Sequence, residues 1–182
     1  MQESFGGGLE DVEQIRKASQ YLQYEGLKYA MEADRRRAYF CSGIFPWQLN
    51  EPFPNLFCTS VVDYYGSPKP AYYGAKKAYA SWLVSAAFEG AALKDGKLTA
   101  EIYAARNLSD DVVCKDERYL VEARLFNMAG RALWEGTMTA KGIFQKAVHI
   151  GTVLWEPEKE ETGLFLLTLC LKKQKQGLIL SE

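Results

Sequence analysis

The sequence predicts an α+β chain in two parts, an incomplete helix–strand–helix piece over residues 1–82 and an immunoglobulin-like antiparallel β-sandwich over residues 83–182. Three observations carry this. Apolar and small residues recur at three- and four-residue steps through the first forty positions, which is the period of a helix with one covered face. A stretch punctuated by Pro52, Pro54, Gly66, Pro68 and Pro70 follows. From Val84 onward the period becomes two, with turn signals between short runs.

The helical stripe runs through Val12, Ile15, Ser19, Leu22, Gly26, Tyr29 or Ala30, and Ala33. Glu10, Asp11 and Glu13 sit in the expected first turn and Arg35, Arg36 and Arg37 in the last, so both ends complement the helix dipole. The predicted helix covers residues 9–37, preceded by a flexible Gly6-Gly7-Gly8 lead-in, and its arginine run reads as a solvated helix end. Residues 38–49 read as a strand, apolar on both faces as a strand covered by helices would be. Residues 50–70 make a long loop, and loops of that length in a compact domain are commonly functional. Pro70 suits the first position of a second helix, running through Tyr72, Ala75, Lys76, Tyr79 and Trp82.

Such a unit cannot close a core alone. One strand leaves its backbone groups without a ladder, and two helices cover only part of it. Residues 1–80 therefore read as a piece cut from a larger α/β domain, or as a unit that packs on the rest of the chain in an unusual way.

The second part offers strands at 84–90, 97–105, 118–127, 131–139, 147–155, 163–173 and 176–181. Asp95-Gly96 is a hairpin signal and Met128-Ala129-Gly130 a second turn. Seven short strands with this spacing predict a sandwich. Alternation assigns inward faces to Leu98, Ala100 and Ile102; to Val121, Ala123 and Leu125; to Ala132 and Trp134; to Val148, Ile150 and Leu154; and to Phe165, Leu167 and Leu169.

Composition narrows the function. With 182 residues, 48% hydrophobic and 25% charged, the chain is globular. A net charge of −1 gives no electrostatic attraction to nucleic acid or an anionic membrane, and no apolar run approaches membrane-spanning length. The N-terminus lacks the basic and apolar regions of a signal peptide. Cys41, Cys58, Cys114 and Cys170 form no Cys-x-x-Cys pair and the single histidine is His149, so a zinc site has poor support and no metal is expected. The even count permits disulfides; the favoured reading is free, mostly buried thiols, which point to a reducing compartment, the cytoplasm.

The chemistry concentrates in Gly43-Ile44-Phe45-Pro46-Trp47-Gln48-Leu49-Asn50-Glu51-Pro52, where an apolar run turns aromatic, then polar, then breaks. Trp47 offers a flat apolar face, and Gln48 and Asn50 carry donors and acceptors on short stems. Sugars need that mixture of a face to stack on and groups to pair with hydroxyls. Read by itself, the same pattern also fits a buried tryptophan beside a polar loop.

Three motifs occur in order: Ala18-Ser19-Gln20 to Arg35-Arg36, Pro46-Trp47-Gln48-Leu49-Asn50-Glu51-Pro52, and Asp63-Tyr64-Tyr65-Gly66-Ser67-Pro68-Lys69-Pro70. Over residues 9–80 the chain resembles the β-mannosidase-like branch of glycoside hydrolase family 2, at the end of its (β/α)8 (TIM) catalytic barrel. Beyond residue 82 the resemblance supplies only the expected position of a C-terminal β-sandwich. It implies a parent enzyme that hydrolyses terminal β-linked sugars with retention, with no metal or organic cofactor.

Retention requires two carboxylates about 5–5.5 Å apart. The resemblance places both on barrel strands that precede Met1, so no catalytic residue is expected in this chain, which should be inactive. Asn50-Glu51-Pro52 imitates an acid/base signature, but one helix and a sandwich follow it where four strand–helix units should. Glu3, the other tempting glutamate, has no preceding strand. The substrate-binding candidates are Trp47, which matches the tryptophan flooring the cleaved-sugar subsite, with Gln48 and Asn50 beside it. Asp63 and Tyr64 match the loop after the strand. The resemblance leaves the Trp47–Gln48 peptide open between cis, often seen at this tryptophan in barrel glycosidases of the clan, and trans, which loss of the neighbouring strands would allow.

Exposed barrel edges predict a homodimer through residues 9–80. The competing reading is a non-enzymatic sandwich that binds carbohydrate or protein. A binding sandwich should expose an aromatic platform, and a buttressing one should not.

Overall fold

The computed structural model describes residues 11–55, 58–90, 92–107, 117–141, 146–158 and 163–182. Residues 9 and 10, Gly6-Gly7-Gly8, Glu3 and Cys114 lie outside them. Among the described residues, two helices are followed by seven strands in two antiparallel sheets. One compact unit takes residues 11–34 with Cys41–Ala80, and the other takes Arg35–Phe40 with Ser81–Glu182.

In the first unit, α1 spans Val12–Arg36. Asp11 caps it by accepting the Gln14 N–H at 2.8 Å. Glu13 in the first turn accepts two bonds from the Arg16 guanidinium, at 2.6 and 2.7 Å. The expected stripe is only partly covered: Ala18, Met31 and Glu32 are buried, while Val12 and Ile15 are exposed. Helix α2, Pro70–Ala78, starts with proline at its first position, where the missing N–H is no loss. It buries the small-residue face Ala71, Gly74 and Ala78. Gly74 permits the closest approach, since a Cβ there would lie 2.9 Å from the ring of Tyr24.

No strand forms over residues 42–46, contrary to the expectation for residues 38–49; the segment is extended without a ladder. The physical reason is the one that made the unit look incomplete. A strand exists only with a continuous partner, and among the described residues this unit pairs only the far end of the segment, where Val61 and Val62 donate to the Gln48 and Leu49 carbonyls.

The second unit contains both sheets. Strands β1 (Trp82–Ala87), β2 (Leu98–Arg106) and β5 (Val148–Trp155) form one in the order β1-β2-β5. Strands β3 (Arg118–Asn127), β4 (Ala132–Lys141), β6 (Phe165–Lys173) and β7 (Ile179–Ser181) form the other, ordered β4-β3-β6-β7. Every predicted strand is present within a few residues. Both turn signals hold too. Asp95 and Gly96 have positive φ, 51° and 75°, as a tight hairpin requires. Asn127 Oδ1 accepts the N–H groups of Ala129 and Arg131, with Gly130 at φ 80° between them.

A shared apolar core lies between the sheets. Val84, Ala100, Ile102, Ala104 and Val153 come from one, and Tyr119, Val121, Ala123 and Leu171 from the other. Fully burying each large side chain is worth about 1.5–3 kcal/mol. Leu98, Trp134, Val148, Ile150, Leu167 and Leu169 pack against this core as alternation predicts.

Two inward assignments are corrected, both at β-bulges. The β2–β5 register steps between Ile102 and Tyr103, so that Ile102 faces Gly151 and Tyr103 faces His149. Beyond Ile150 the phase flips: Val153 is fully buried, and Leu154 is 64% exposed. The β3–β4 register steps between Leu125 and Phe126, which skips Leu133 and leaves Ala132 exposed while Trp134 stays on the core. An extra residue on one strand reverses every later side chain.

The arginine run is also more than a solvated end. Arg35 donates to Asn107 Oδ1 at 3.2 Å and Arg36 to Ser85 Oγ at 3.1 Å, while Arg37 lies over the Phe40 ring.

Candidate functional site

Exposure alternates along the extended segment before Pro52. Phe45, Trp47 and Leu49 are 93%, 79% and 65% exposed, and Ile44, Pro46 and Gln48 are half-buried between them. Trp47 is thus not packed in a local core; its indole faces solvent. The Trp47–Gln48 peptide is cis, the first of the two alternatives left open by the sequence. Asn50 is exposed next to it.

Gln48 is placed less freely. Its backbone carbonyl accepts the Val61 N–H at 3.1 Å, and its side-chain Nε2 donates to Cys58 Sγ at 3.5 Å. The Leu49 carbonyl accepts the Val62 N–H at 2.8 Å. The segment after Trp47 is therefore tied to the segment that begins at Cys58.

The tie is anchored by a buried charged cluster that sequence reasoning missed. Glu51 is only 4% exposed. Its Oε1 accepts from Lys69 Nζ and from Ser60 Oγ, both at 2.5 Å. Lys69 Nζ also donates to Ser60 Oγ at 2.9 Å and to the Cys58 carbonyl at 3.3 Å. On the far side, Gln23 of α1 donates to the carbonyls of Thr59 and Ser60, at 2.6 and 3.2 Å. Glu51 appeared in the sequence only as an imitation of a catalytic motif. Its partner stands 18 residues away, immediately before a helix-starting proline, and no periodicity links the two.

This geometry assigns Glu51 a structural task. A general acid needs a raised pKa and access to the leaving group. The Glu51 carboxyl is instead held below its ordinary 4.5 by hydrogen bonds from Lys69 and then Ser60, which favour the charged form. The Cys58 thiol is drawn down as well, by the Ser60 backbone N–H and by Gln48.

A pH dependence follows. Because the folded carboxyl titrates below the unfolded one, its stabilisation is complete above pH 4.5 and is lost as pH falls through the lower folded value. Thermal midpoints followed from about pH 6 to about pH 3 should fall, and Glu51→Gln should flatten part of that slope. The remainder comes from Glu13, Glu89 and Glu122, held low chiefly by Arg16, Lys94 and Lys172. An unchanged slope in Glu51→Gln would show that the cluster does not stabilise the fold.

Asp63 holds a turn. Its Oδ1 accepts the Ser67 N–H at 2.8 Å, and its own N–H donates to the Ser67 carbonyl at 3.0 Å. Gly66 at φ 83° completes that turn, and Tyr64 stacks edge-on against Tyr65. His149 is exposed on β5 with its ring against Tyr103. Among the described residues no three His, Cys, Asp or Glu side chains are grouped to hold a metal ion. No helix there is long and apolar enough to cross a membrane.

Exposed aromatics are unequally divided. Residues 11–34 and Cys41–Ala80 expose Tyr21, Phe45, Trp47, Phe53, Tyr64, Tyr65, Tyr73 and Tyr79. Among its described residues the other unit exposes Tyr39, Phe40 and Phe88, at 55%, 85% and 41%.

No family model matches the chain, and no curated protein sequence matches it significantly. Solved structures do. Amycolatopsis orientalis exo-chitosanase CsxA matches with a TM-score of 0.76 at 21% identity, over 99% of this chain and 20% of that one. A structure of the exo-β-D-glucosaminidase CsxA, described with inhibitors, gives 0.75 at 21% identity over the same shares. β-D-Mannosidase from Dictyoglomus thermophilum gives 0.61 at 22% identity, over 94% of this chain and 19% of that one. The likeness is one of fold. The chain spans about a fifth of the length of each of these glycoside-cleaving enzymes.

Proposed function

We propose that this chain is the C-terminal part of a retaining glycoside hydrolase of family 2, acting on terminal β-linked sugars and resembling β-mannosidase. Residues 1–82 are the end of its (β/α)8 barrel, and residues 83–182 are an immunoglobulin-like sandwich. The observation that carries this reading is the fold match over nearly the whole chain to enzymes named for exo-glucosaminidase and β-mannosidase activity. In it Trp47 floors the sugar subsite, with Gln48 and Asn50 beside it, and the acid/base and nucleophile lie upstream of Met1. The engagement of Glu51 by Lys69 and Ser60 supports the absence of a catalytic carboxylate there. Among the described residues of 83–182, Phe88 is the one exposed Phe, Tyr or Trp, which weighs against a carbohydrate-binding module. The free thiols Cys41, Cys58 and Cys170 support a reducing, cytoplasmic setting.

The test is a graft. Exo-chitosanase CsxA in which this chain replaces the matching fifth should hydrolyse an aryl β-glucosaminide or β-mannoside, while the isolated chain should not exceed background. A folded graft without turnover would defeat the reading. So would turnover by the isolated chain that disappears in Glu51→Gln.

The same reading carries a partner. Phe45, Trp47, Leu49 and Phe53 expose apolar surface that a complete barrel would line or cover, so the isolated chain should form a homodimer through residues 9–80. Light scattering should give twice the mass of one chain, and Phe45→Ser should reduce it. A monomer at high concentration refutes the dimer.

A further inference from the structure

We propose that Lys69 is a positioning residue, which with Glu51 and Ser60 clamps residues 58–62 onto residues 48–51 and so fixes how Trp47 is presented. The inference rests on reading Trp47 as the sugar platform. The ammonium has three protons and three acceptors, Glu51 Oε1, Ser60 Oγ and the Cys58 carbonyl, so its hydrogen-bonding capacity is filled. Ser60 both donates to Glu51 and accepts from Lys69, which closes a triangle. The Lys69 N–H donates to the Val61 carbonyl at 2.9 Å, so this one residue grips residues 58–62 from both its main chain and its side chain. Opposite it, Val61 and Val62 donate to the carbonyls of Gln48 and Leu49. The first residue held is therefore the one immediately after Trp47. Residues 43–47 form no ladder of their own; upstream of Trp47 the Ile44 carbonyl accepts from the Tyr79 hydroxyl at 2.5 Å, and downstream the hold is the clamp.

A purely structural role for the pair would be to avoid an unpaired buried charge, and that role can be separated from positioning. Glu51→Gln/Lys69→Met removes both charges together, which frequently leaves stability near its original level. Positioning, by contrast, needs the three donated bonds. Two readouts follow it: amide hydrogen exchange at Val61 and Val62, and the ¹⁹F resonance of Trp47 in 5-fluorotryptophan-labelled chain, assigned with Trp47→Phe. In the double variant the two amides should exchange at least about tenfold faster, the effect of losing one charge-assisted bond. The Trp47 line should broaden or split while the other three tryptophans stay unchanged. Ser60→Ala keeps the ion pair and should show both changes at smaller size. Wild-type exchange and an unaltered Trp47 line in both variants would overturn the clamp. Full turnover in a Trp47→Ala graft would defeat the platform reading and leave these two measurements standing.

Discussion

Trp47→Ala in the CsxA graft is expected to lower kcat/KM for an aryl β-glycoside by roughly 50- to 100-fold. The indole is 79% exposed, so removing it costs the fold little, and on the proposed platform reading it costs sugar binding much. Covering one indole face, about 100 Å², at about 25 cal/mol per Å² is worth roughly 2.5 kcal/mol, which gives that factor. Trp47→Phe should keep most of it, because a flat ring remains. Gln48→Ala should cost less than Trp47→Ala, since the Gln48 amide already donates to Cys58 Sγ inside the loop. A graft in which Trp47→Ala turns over as the parent does removes the platform role.

Ile102→Ala is expected to destabilise the sandwich by about 3–5 kcal/mol, read from a urea midpoint with the slope unchanged. Ile102 is fully buried in β2 at the bulge and touches the shared core. The neighbouring strand gives an internal control for phase. Val153→Ala should cost about 1–3 kcal/mol, whereas Leu154→Ala should stay within about 0.5 kcal/mol despite removing the larger side chain. Equal losses at the two positions would mean that β5 does not shift phase where the register indicates.

That contrast marks where the sequence stops being informative. Period-two patterning located the seven strands of the described residues, and Asp95-Gly96 and Met128-Ala129-Gly130 located two turns, because those signals reside in adjacent residues. Alternation failed at Ala132 and Leu154 because a bulge is a property of two strands together and leaves no mark on one. The strand expected over residues 38–49 failed for a related reason, since its apolar character describes what it would pack against and not whether a partner is present. In the candidate site, Trp47 was legible as an aromatic beside polar residues. The roles of Lys69 and Ser60 were not, because a buried ion pair between Glu51 and a lysine far along the chain depends on the loop's path alone.

The sheet orders bear on how fast this sandwich can assemble. The β3–β4 pair can zip directly from the turn beside Asn127, where few residues need to be ordered first. The central strands β2 and β3 must each also find a neighbour, β5 and β6, across roughly 40 residues of intervening chain, and that loop closure is lost entropy before any contact repays it. Those two closures set the folding time, which belongs to the millisecond-to-second range of sandwich topologies. Doubling the length of either connection would add only about 0.6 kcal/mol to its closure. The second unit is therefore slow to form, yet tolerant of insertions between the strands that limit it.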